Sequence, residues 1–373
     1  MVKQRKQIFI SAGDPSGDIH AANLMRELLS FDNNLKFVGI GGPKMQELGL
    51  TPIVNFSEIN VVGFWEVAKK YRFFKRLEAK SKNIIQDSNI DLVILIDYPG
   101  LNMRLADYAK SINKKVCYYI APQLWAWGKK RAKKLSNSVD KLLVAFPFEE
   151  EFFKQFDLDV QFVGHPSLDL EVFELDDNST RIDNQVCLIP GSRRQEVKSH
   201  LLLFDDIIRK SQGKYKFALS KSPSVDPRVY ESFINTNPDV IIYENSRDAM
   251  KSSIFGIVKT GTSTLEATLL NLPFIMIYKT SITTYLIGRF LVNIEYLAMP
   301  NILLNKQVVS ELIQQDATAT KIVKELDRFM NNSDLLDKIR KDFVEIRYKL
   351  GKLSASKTAS SIIYKEFLDE NTY

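Results

Sequence analysis

Residues 90–127 read IDLVILIDYPGLNMRLADYAKSINKKVCYYIAPQLWAW. An apolar, β-branched run at 92–96 ends in Asp97, a helical segment follows, and a second such run at 116–120 ends in a Pro and Trp turn. Strand, helix, strand is the unit of a parallel sheet wrapped in helices, and the pattern continues in both directions. Upstream lie runs at 8–12 and 36–40, and downstream at 141–146 and 160–163. A polar, acidic stretch without apolar period, EVFELDDNSTRIDN at 171–184, interrupts it. A second series then begins, at 186–189, 216–219, 240–243, 254–258 and 274–278, and from about Thr318 the pattern turns helical and highly charged. The expectation is an α/β chain in two halves: residues 1–172, a linker at 173–184, residues 185–345, and a terminal helix at 346–373 that crosses back to the first half.

Composition agrees with two ordinary globular domains. The chain has 373 residues, 45% apolar and 26% charged, and a single core usually stops growing beyond ~250–300 residues. Cys117 and Cys187 sit in apolar runs without CxxC spacing, which fits a reducing cytoplasm and excludes a disulfide scaffold. Three scattered histidines argue against a catalytic metal site, so none is expected. The apolar run after the basic start MVKQRKQIFISAGD is too short for a signal peptide, and nothing approaches ~18 uninterrupted apolar residues. The net charge of +6 asks for an anionic partner without saying which.

In parallel α/β sheets ligands sit beyond the carboxyl ends of the strands, so the residues after each apolar run are the candidates. Gly13-Asp14-Pro15-Ser16-Gly17-Asp18 follows the first run; Ser16 and Asp18 either cap the next helix or, with its N–H groups, bind an anion or hydroxyl. Neither GxGxxG nor GxxxxGK[ST] occurs in a useful place, which argues against nicotinamide cofactors and P-loop hydrolysis. Asp97, closing a buried strand, is placed to act as a general base if desolvation raises its pKa; its bland role is to cap the next turn. Trp125 and Trp127, two indoles placed to line an acceptor or acyl site or else to sit in the core, precede the basic run Gly128 to Lys134, which is either a solvated face or a site for an acceptor phosphate. Pro190-Gly191-Ser192-Arg193 opens a helix with free N–H groups and a bidentate cation, a pattern suited to a diphosphate. Thr260-Gly261-Thr262 repeats that arrangement; Glu266 either accepts from ribose hydroxyls or forms a capping box with Ser263.

Residues 61–82 read VVGFWEVAKKYRFFKRLEAKSK. Phe64, Val67, Ala68, Tyr71 and Phe74 make a stripe at helical spacing that reads as core, although Phe64 is also counted among the membrane contacts. Trp65, Phe73 and Leu77 fall opposite, among Lys69, Lys70, Arg72 and Arg76, which describes a helix lying against anionic lipid. A buried or partner-bound helix is the alternative.

The motifs GDPSGD, VVGFWEV, LIDYPGLN, PQLWAW, FVGHP, PGSRRQE, KTGTSTLEA and MPNILLNKQVVSELIQ together resemble the lipid-A-disaccharide synthases, over about residues 7–315. The resemblance implies a GT-B fold, two Rossmann-like domains with mostly parallel sheets facing a central cleft and a helical C-terminal tail, the nucleotide being held by the second domain. It implies an inverting transfer from UDP-2,3-diacylglucosamine to 2,3-diacylglucosamine 1-phosphate, with no cofactor, at the cytoplasmic face of the inner membrane, and a homodimer as an open expectation. Carried over, the family's DYPxxN acid falls on Asp97 with Asn102 beside it and its PGSR arginine on Arg193. The SGTxxLE region falls on Thr260 to Glu266, the LPN asparagine on Asn301, and the ELxQ pair on Glu311 and Gln314. Asp14 stands where the family has glutamate, and Thr260 where it has serine. Within enzymes the rival is another GT-B protein using UDP-N-acetylglucosamine, an epimerase or the peptidoglycan glycosyltransferase. A nucleic-acid-binding protein would use the basic runs with steep salt dependence; no nucleic-acid partner is expected.

Overall fold

The computed structural model describes residues 5–59, 71–173, 181–280, 295–351 and 354–369. The strands, in chain order, are β1 Gln7–Ala12, β2 Lys36–Ile40, β3 Leu50–Pro52, β4 Ile90–Ile96, β5 Lys115–Tyr119, β6 Lys141–Val144, β7 Val160–Phe162, β8 Gln185–Ile189, β9 Lys216–Ser220, β10 Ile241–Tyr243, β11 Phe255–Lys259, β12 Phe274–Tyr278 and β13 Ser310–Ile313. They form two all-parallel sheets, in the order β3-β2-β1-β4-β5-β6-β7 and β10-β9-β8-β11-β12-β13. The apolar runs mark eleven of these; β3 and β13 are short edge strands carrying Thr51-Pro52 and Glu311, whose polarity hides them from a hydrophobic pattern.

Contacts divide the chain into residues 1–170 with 350–373, and residues 171–349. The expected terminal segment thus starts a turn too early: residues 346–349 finish the helix Ser333–Lys349 in the second unit.

In the first unit successive strand residues supply opposite faces, as a pleated strand must. Phe9, Val93, Leu95 and Tyr118 pack into one apolar layer, and Ile8, Ile10, Leu92, Ile94, Ile96, Cys117 and Tyr119 into the other. The second layer is completed by Ala359, Ile363 and Leu368 from the C-terminal segment. That segment is tied down by aromatic and polar contacts too: Phe31 stacks on Tyr364 at 5.0 Å, Lys141 Nζ lies 2.8 Å from Glu366 Oε1, and Asp169 accepts from the N–H groups of Ala355 and Ser356 at 2.9 and 2.8 Å.

In each unit the strand order reverses once next to its first strand, between β1 and β4 and between β8 and β11. Connections leave such a pair in opposite directions, opening a crevice at the carboxyl ends where ligands of doubly wound sheets bind. Ala12 pairs with Ile96, and Ile189 with Val258, so the turns beginning at Gly13 and Asp97 share one crevice and those at Pro190 and Thr260 the other.

Candidate active site

In the first unit the turn after β4 is built around Asp97. Asp97 and Tyr98 have φ of 42° and 48°, two successive left-handed residues before the helix Pro99–Ser111. Such backbone is costly for residues other than glycine and is held by its neighbours. Tyr118 donates its hydroxyl to the Asp97 carbonyl at 2.5 Å, and Asn102 Nδ2 donates to the same carbonyl at 2.9 Å and to Ile96 O at 3.1 Å. The Tyr98 ring lies against Gly13, where a Cβ would fall 2.4 Å from ring atoms, so the two turns interlock only because residue 13 is glycine. Asp97 directly follows the end of β4, beside the crevice, and is half-buried. Burial, reinforced by the negative charge of Asp14 and opposed by the Tyr98 N–H, pushes its pKa up to about 7. A carboxyl poised there can take a proton from a hydroxyl at neutral pH.

Three residues expected to touch substrate have other occupations or a marginal place. Asn102 is 0% exposed, and besides its donations its Oδ1 accepts from Ser11 Oγ at 2.7 Å, so it shapes the Asp97 turn from behind. Asp18 is 4% exposed and accepts from the backbone N–H groups of Gly42, Lys44 and Met45 at 2.8, 3.1 and 3.1 Å, capping the neighbouring helix Pro43–Glu47. The cap of the helix Pro15–Phe31 is instead Asp14, which accepts from Gly17 N at 2.6 Å; Ser16 is exposed in its first turn.

Trp125 is held by a residue that the motifs did not single out. Its Nε1 donates at 3.1 Å to Oε1 of Glu149, whose other oxygen accepts from Phe146 N at 3.1 Å. Glu149 is buried, and desolvation, to which the charge of Asp97 adds, pushes its pKa up to about 8. With its N–H committed, Trp125 offers its ring, which meets Phe148 edge-on at 4.9 Å. The signal in sequence was Phe146-Pro147-Phe148-Glu149, a strand end followed by a proline-started helix with glutamate in its first turn. Trp127 closes the helix Leu124–Trp127, and its side chain lies outside the described residues. In the helix Lys129–Ser136, Lys129, Lys130, Lys133 and Lys134 are exposed, and Lys134 pairs with Asp107.

The helix Tyr71–Ile85 corrects the expected phase. Leu77, placed by the sequence on the lipid side, is 4% exposed and buries with Glu78, Ser81 and Ile85, while Tyr71, placed in the core, is 61% exposed. Glu78 fixes this rotation, since its buried carboxylate is met by Lys82 at 2.7 Å and Arg104 at 2.8 Å. Phe73 and Phe74 are half-buried against the core, and Arg72, Lys75 and Arg76 are exposed. Phe64, Trp65, Lys69 and Lys70 lie outside the described residues.

In the second unit the crevice between β8 and β11 is cationic. Gly191 and Gly261 have φ of 98° and 119°, the left-handed backbone for which glycine is suited, and each opens a strand-to-helix turn. Ser192, Arg193, Gly261 and Thr262 are exposed there, and Thr260 anchors its turn by donating its N–H to Ile277 O at 3.0 Å. Arg193 Nη1 lies 3.3 Å from Glu196 Oε1, and Lys259 Nζ, from the end of β11, lies 3.1 Å from Glu196 Oε2. Lys259 opens the KTGTSTLEA motif directly before Thr260, and the sequence by itself assigns it no role. Glu266 makes no capping box: its Oε1 receives Arg247 Nε and Nη2 at 3.0 and 2.9 Å, and Arg247 in turn lies over the Phe173 ring.

The remaining expected contacts are internal. Asn301 is 0% exposed; its Oδ1 accepts from the N–H groups of Val308 and Val309 at 2.8 and 2.9 Å, and its Nδ2 donates to Val309 O and Glu311 Oε1. Glu311 also accepts from Leu297 N and Ala298 N, closing the start of the helix Met299–Leu304. Gln314 has φ 50° and accepts from Thr280 N at 3.1 Å. Asn301 and Glu311 therefore hold residues 297–309 through their hydrogen bonds.

Among the described residues no helix is long and apolar enough to cross a membrane, and no cluster of three His, Cys, Asp or Glu groups is placed to hold a metal ion. The fold is shared with solved structures of low identity: MurG of Acinetobacter baumannii (TM-score 0.60, 12% identity, 96% of this chain and 99% of that one) and S. aureus MnaA with UDP (TM-score 0.65, 11% identity, 96% of both). Relatives by sequence are nearer. Lipid-A-disaccharide synthase of Sulfurihydrogenibium sp. is 34% identical over 96% of this chain and 97% of its own, and that of Geobacter metallireducens 35% over 96% of each. The lipid-A-disaccharide synthetase family matches residues 8–366. With two Rossmann-like parallel sheets, strand-end turns suited to a nucleotide-sugar and a match over nearly its whole length, the chain belongs to the lipid-A-disaccharide synthases, glycosyltransferases of GT-B fold.

Proposed function

We propose that the chain condenses UDP-2,3-diacylglucosamine with 2,3-diacylglucosamine 1-phosphate, releasing UDP and forming a β-1,6-linked disaccharide. The observation that carries this reading is Asp97, a half-buried carboxyl at the end of β4, poised near neutrality on a backbone turn locked by Tyr118, Asn102 and Gly13. In this mechanism the Asp97 carboxylate takes the proton of the acceptor's 6-hydroxyl. That oxygen bonds to the donor's anomeric carbon from the face opposite UDP, the bond to the diphosphate oxygen breaks with its electron pair, and configuration inverts. Arg193 and the N–H groups after Gly191 and Gly261 meet the charge left on UDP, a role that a metal ion plays elsewhere. Glu266, oriented by Arg247, takes the ribose hydroxyls, and the Trp125 ring, fixed by Glu149, lines the acceptor side.

Both substrates carry acyl chains, so the reading also places the protein on an anionic membrane surface at the cytoplasmic face. The exposed cations Arg72, Lys75 and Arg76 with the exposed Tyr71 ring support that contact. The test is incubation with both substrates and mass spectrometry of the products: equal amounts of UDP and disaccharide are expected. Release of UDP without disaccharide, or no turnover, refutes the assignment.

A further inference from the structure

Glu196 stands in the first turn of the helix Arg194–Ser211, where an anionic ligand would otherwise sit, and it is buried. Its two oxygens face cations from two different strand ends, Arg193 Nη1 at 3.3 Å and Lys259 Nζ at 3.1 Å. The two cations differ in freedom. The Arg193 side chain is 68% exposed, whereas Lys259 is 16% exposed and runs beneath the Gly191 turn, its Cδ 3.1 Å from where a Cβ on that glycine would stand. Tyr278 and His200 line the same spot: Tyr278 feels the charges of Glu196 and Arg193, and His200, 2.8 Å from Pro190 O, feels those of Glu196, Lys259 and Lys279.

Arg193 and Glu196 alone form a neutral pair with nothing to offer a diphosphate, and pulling the arginine away would strand a buried carboxylate, a strongly unfavourable arrangement. Lys259 changes both conditions. It gives the group of three a net positive charge, and it keeps Glu196 compensated after the arginine has turned outward. We propose that Lys259 is a positioning residue for donor binding, which holds Glu196 so that Arg193 can exchange that carboxylate for the diphosphate of the nucleotide-sugar. This rests on the reading of Arg193 as the diphosphate ligand.

The experiment measures UDP binding by calorimetry to the full chain and its variants, with the acceptor KM from turnover. One unit charge a few ångströms away, partly screened, is worth about tenfold in affinity, so Lys259→Met should weaken UDP about tenfold and leave the acceptor KM within about twofold. Lys259→Arg should restore most of the loss. The combination K259M/E196Q should bind UDP within about threefold of the unaltered protein, because no carboxylate then detains Arg193. Binding by the double variant no tighter than by K259M would mean that Lys259 acts on the phosphate itself and overturns the proposal, as would unchanged binding by K259M. Should K259M fail to fold, Glu196→Gln decides alone: it should bind UDP at least as tightly as the unaltered protein, and weaker binding by the folded variant refutes the exchange. Absence of UDP binding to the unaltered protein, or full binding by Arg193→Ala, would instead sink the diphosphate reading on which this rests.

Discussion

Replacing Asp97 by Asn should make the protein both inactive and more stable. The substitution removes the charge while keeping shape, and asparagine accepts the left-handed backbone that Asp97 adopts at φ 42°. Tyr118 and Asn102 bond the carbonyl of residue 97, so those contacts survive. Loss of the base should lower kcat/KM about 10²–10⁴-fold. The stability gain follows from the raised pKa, since the folded protein holds the Asp97 proton up to about pH 7 whereas the unfolded chain releases it near 3.8. The carboxyl therefore destabilises the fold progressively as pH rises from about 4 to about 7, and by a constant amount above. At ~1.4 kcal/mol per unit the ceiling is ~4 kcal/mol, and solvent reaching the partly exposed carboxyl reduces this to about 1–2 kcal/mol. For a unit of this size, that is a rise in Tm of roughly 2–8 °C at pH 8.5, shrinking toward zero near pH 4. Thermal unfolding at the two pH values and turnover at pH 8.5 read the two effects. A folded variant that turns over within tenfold of the unaltered protein, or that melts below it at pH 8.5, refutes the argument.

The structure makes four further predictions. Asp14→Asn should move the acid limb of the kcat/KM profile to lower pH, because Asp14 is the charge that reinforces burial at Asp97, while asparagine keeps the cap on Gly17; an unmoved midpoint would separate the two carboxyls. Asn301→Ala leaves the N–H groups of Val308 and Val309 without their acceptor and takes one of three donors from the Glu311 carboxylate, and should cost about 2–4 kcal/mol in urea unfolding, with the UDP affinity of the folded protein unchanged; weaker UDP binding without loss of stability would return Asn301 to the ligand. Leu77→Ala should cost about 2–4 kcal/mol of stability and leave sedimentation with anionic vesicles unaltered. Arg72, Lys75 and Arg76 changed together to Gln should weaken that sedimentation by about 1 kcal/mol per cation, and undiminished binding would remove this helix from the membrane contact.

The alternation of apolar runs with helical segments determines the α/β class and eleven of the thirteen strands among the described residues, because burying a parallel strand on both faces demands a continuous apolar run that is visible without context. Turn chemistry likewise marks Asp97, Gly191, Arg193 and Gly261 at strand ends, and the motifs carry the family. What each polar residue does at those ends was decided by tertiary structure. Asp18, Asn102, Asn301 and Glu311 look like ligand contacts in a linear motif, yet their oxygens accept from backbone N–H groups or, at Asn102, from the Ser11 hydroxyl, donors that only folding brings near, from 7 to 91 residues away. Glu149 and Lys259 have no role legible in the sequence for the converse reason: nothing local to them shows the indole or the carboxylate that each one holds. The phase of the helix Tyr71–Ile85 belongs to the same class, since the ion pairs of Glu78 with Lys82 and Arg104 turn Leu77 inward. Sequence period locates a stripe to within a residue, about 100° on a helix, and which edge of it is buried depends on the surface that it meets. The positive charge of the chain, undirected as a sum, acquires direction once strand order brings Arg193 and Lys259 to one carboxylate in the second crevice.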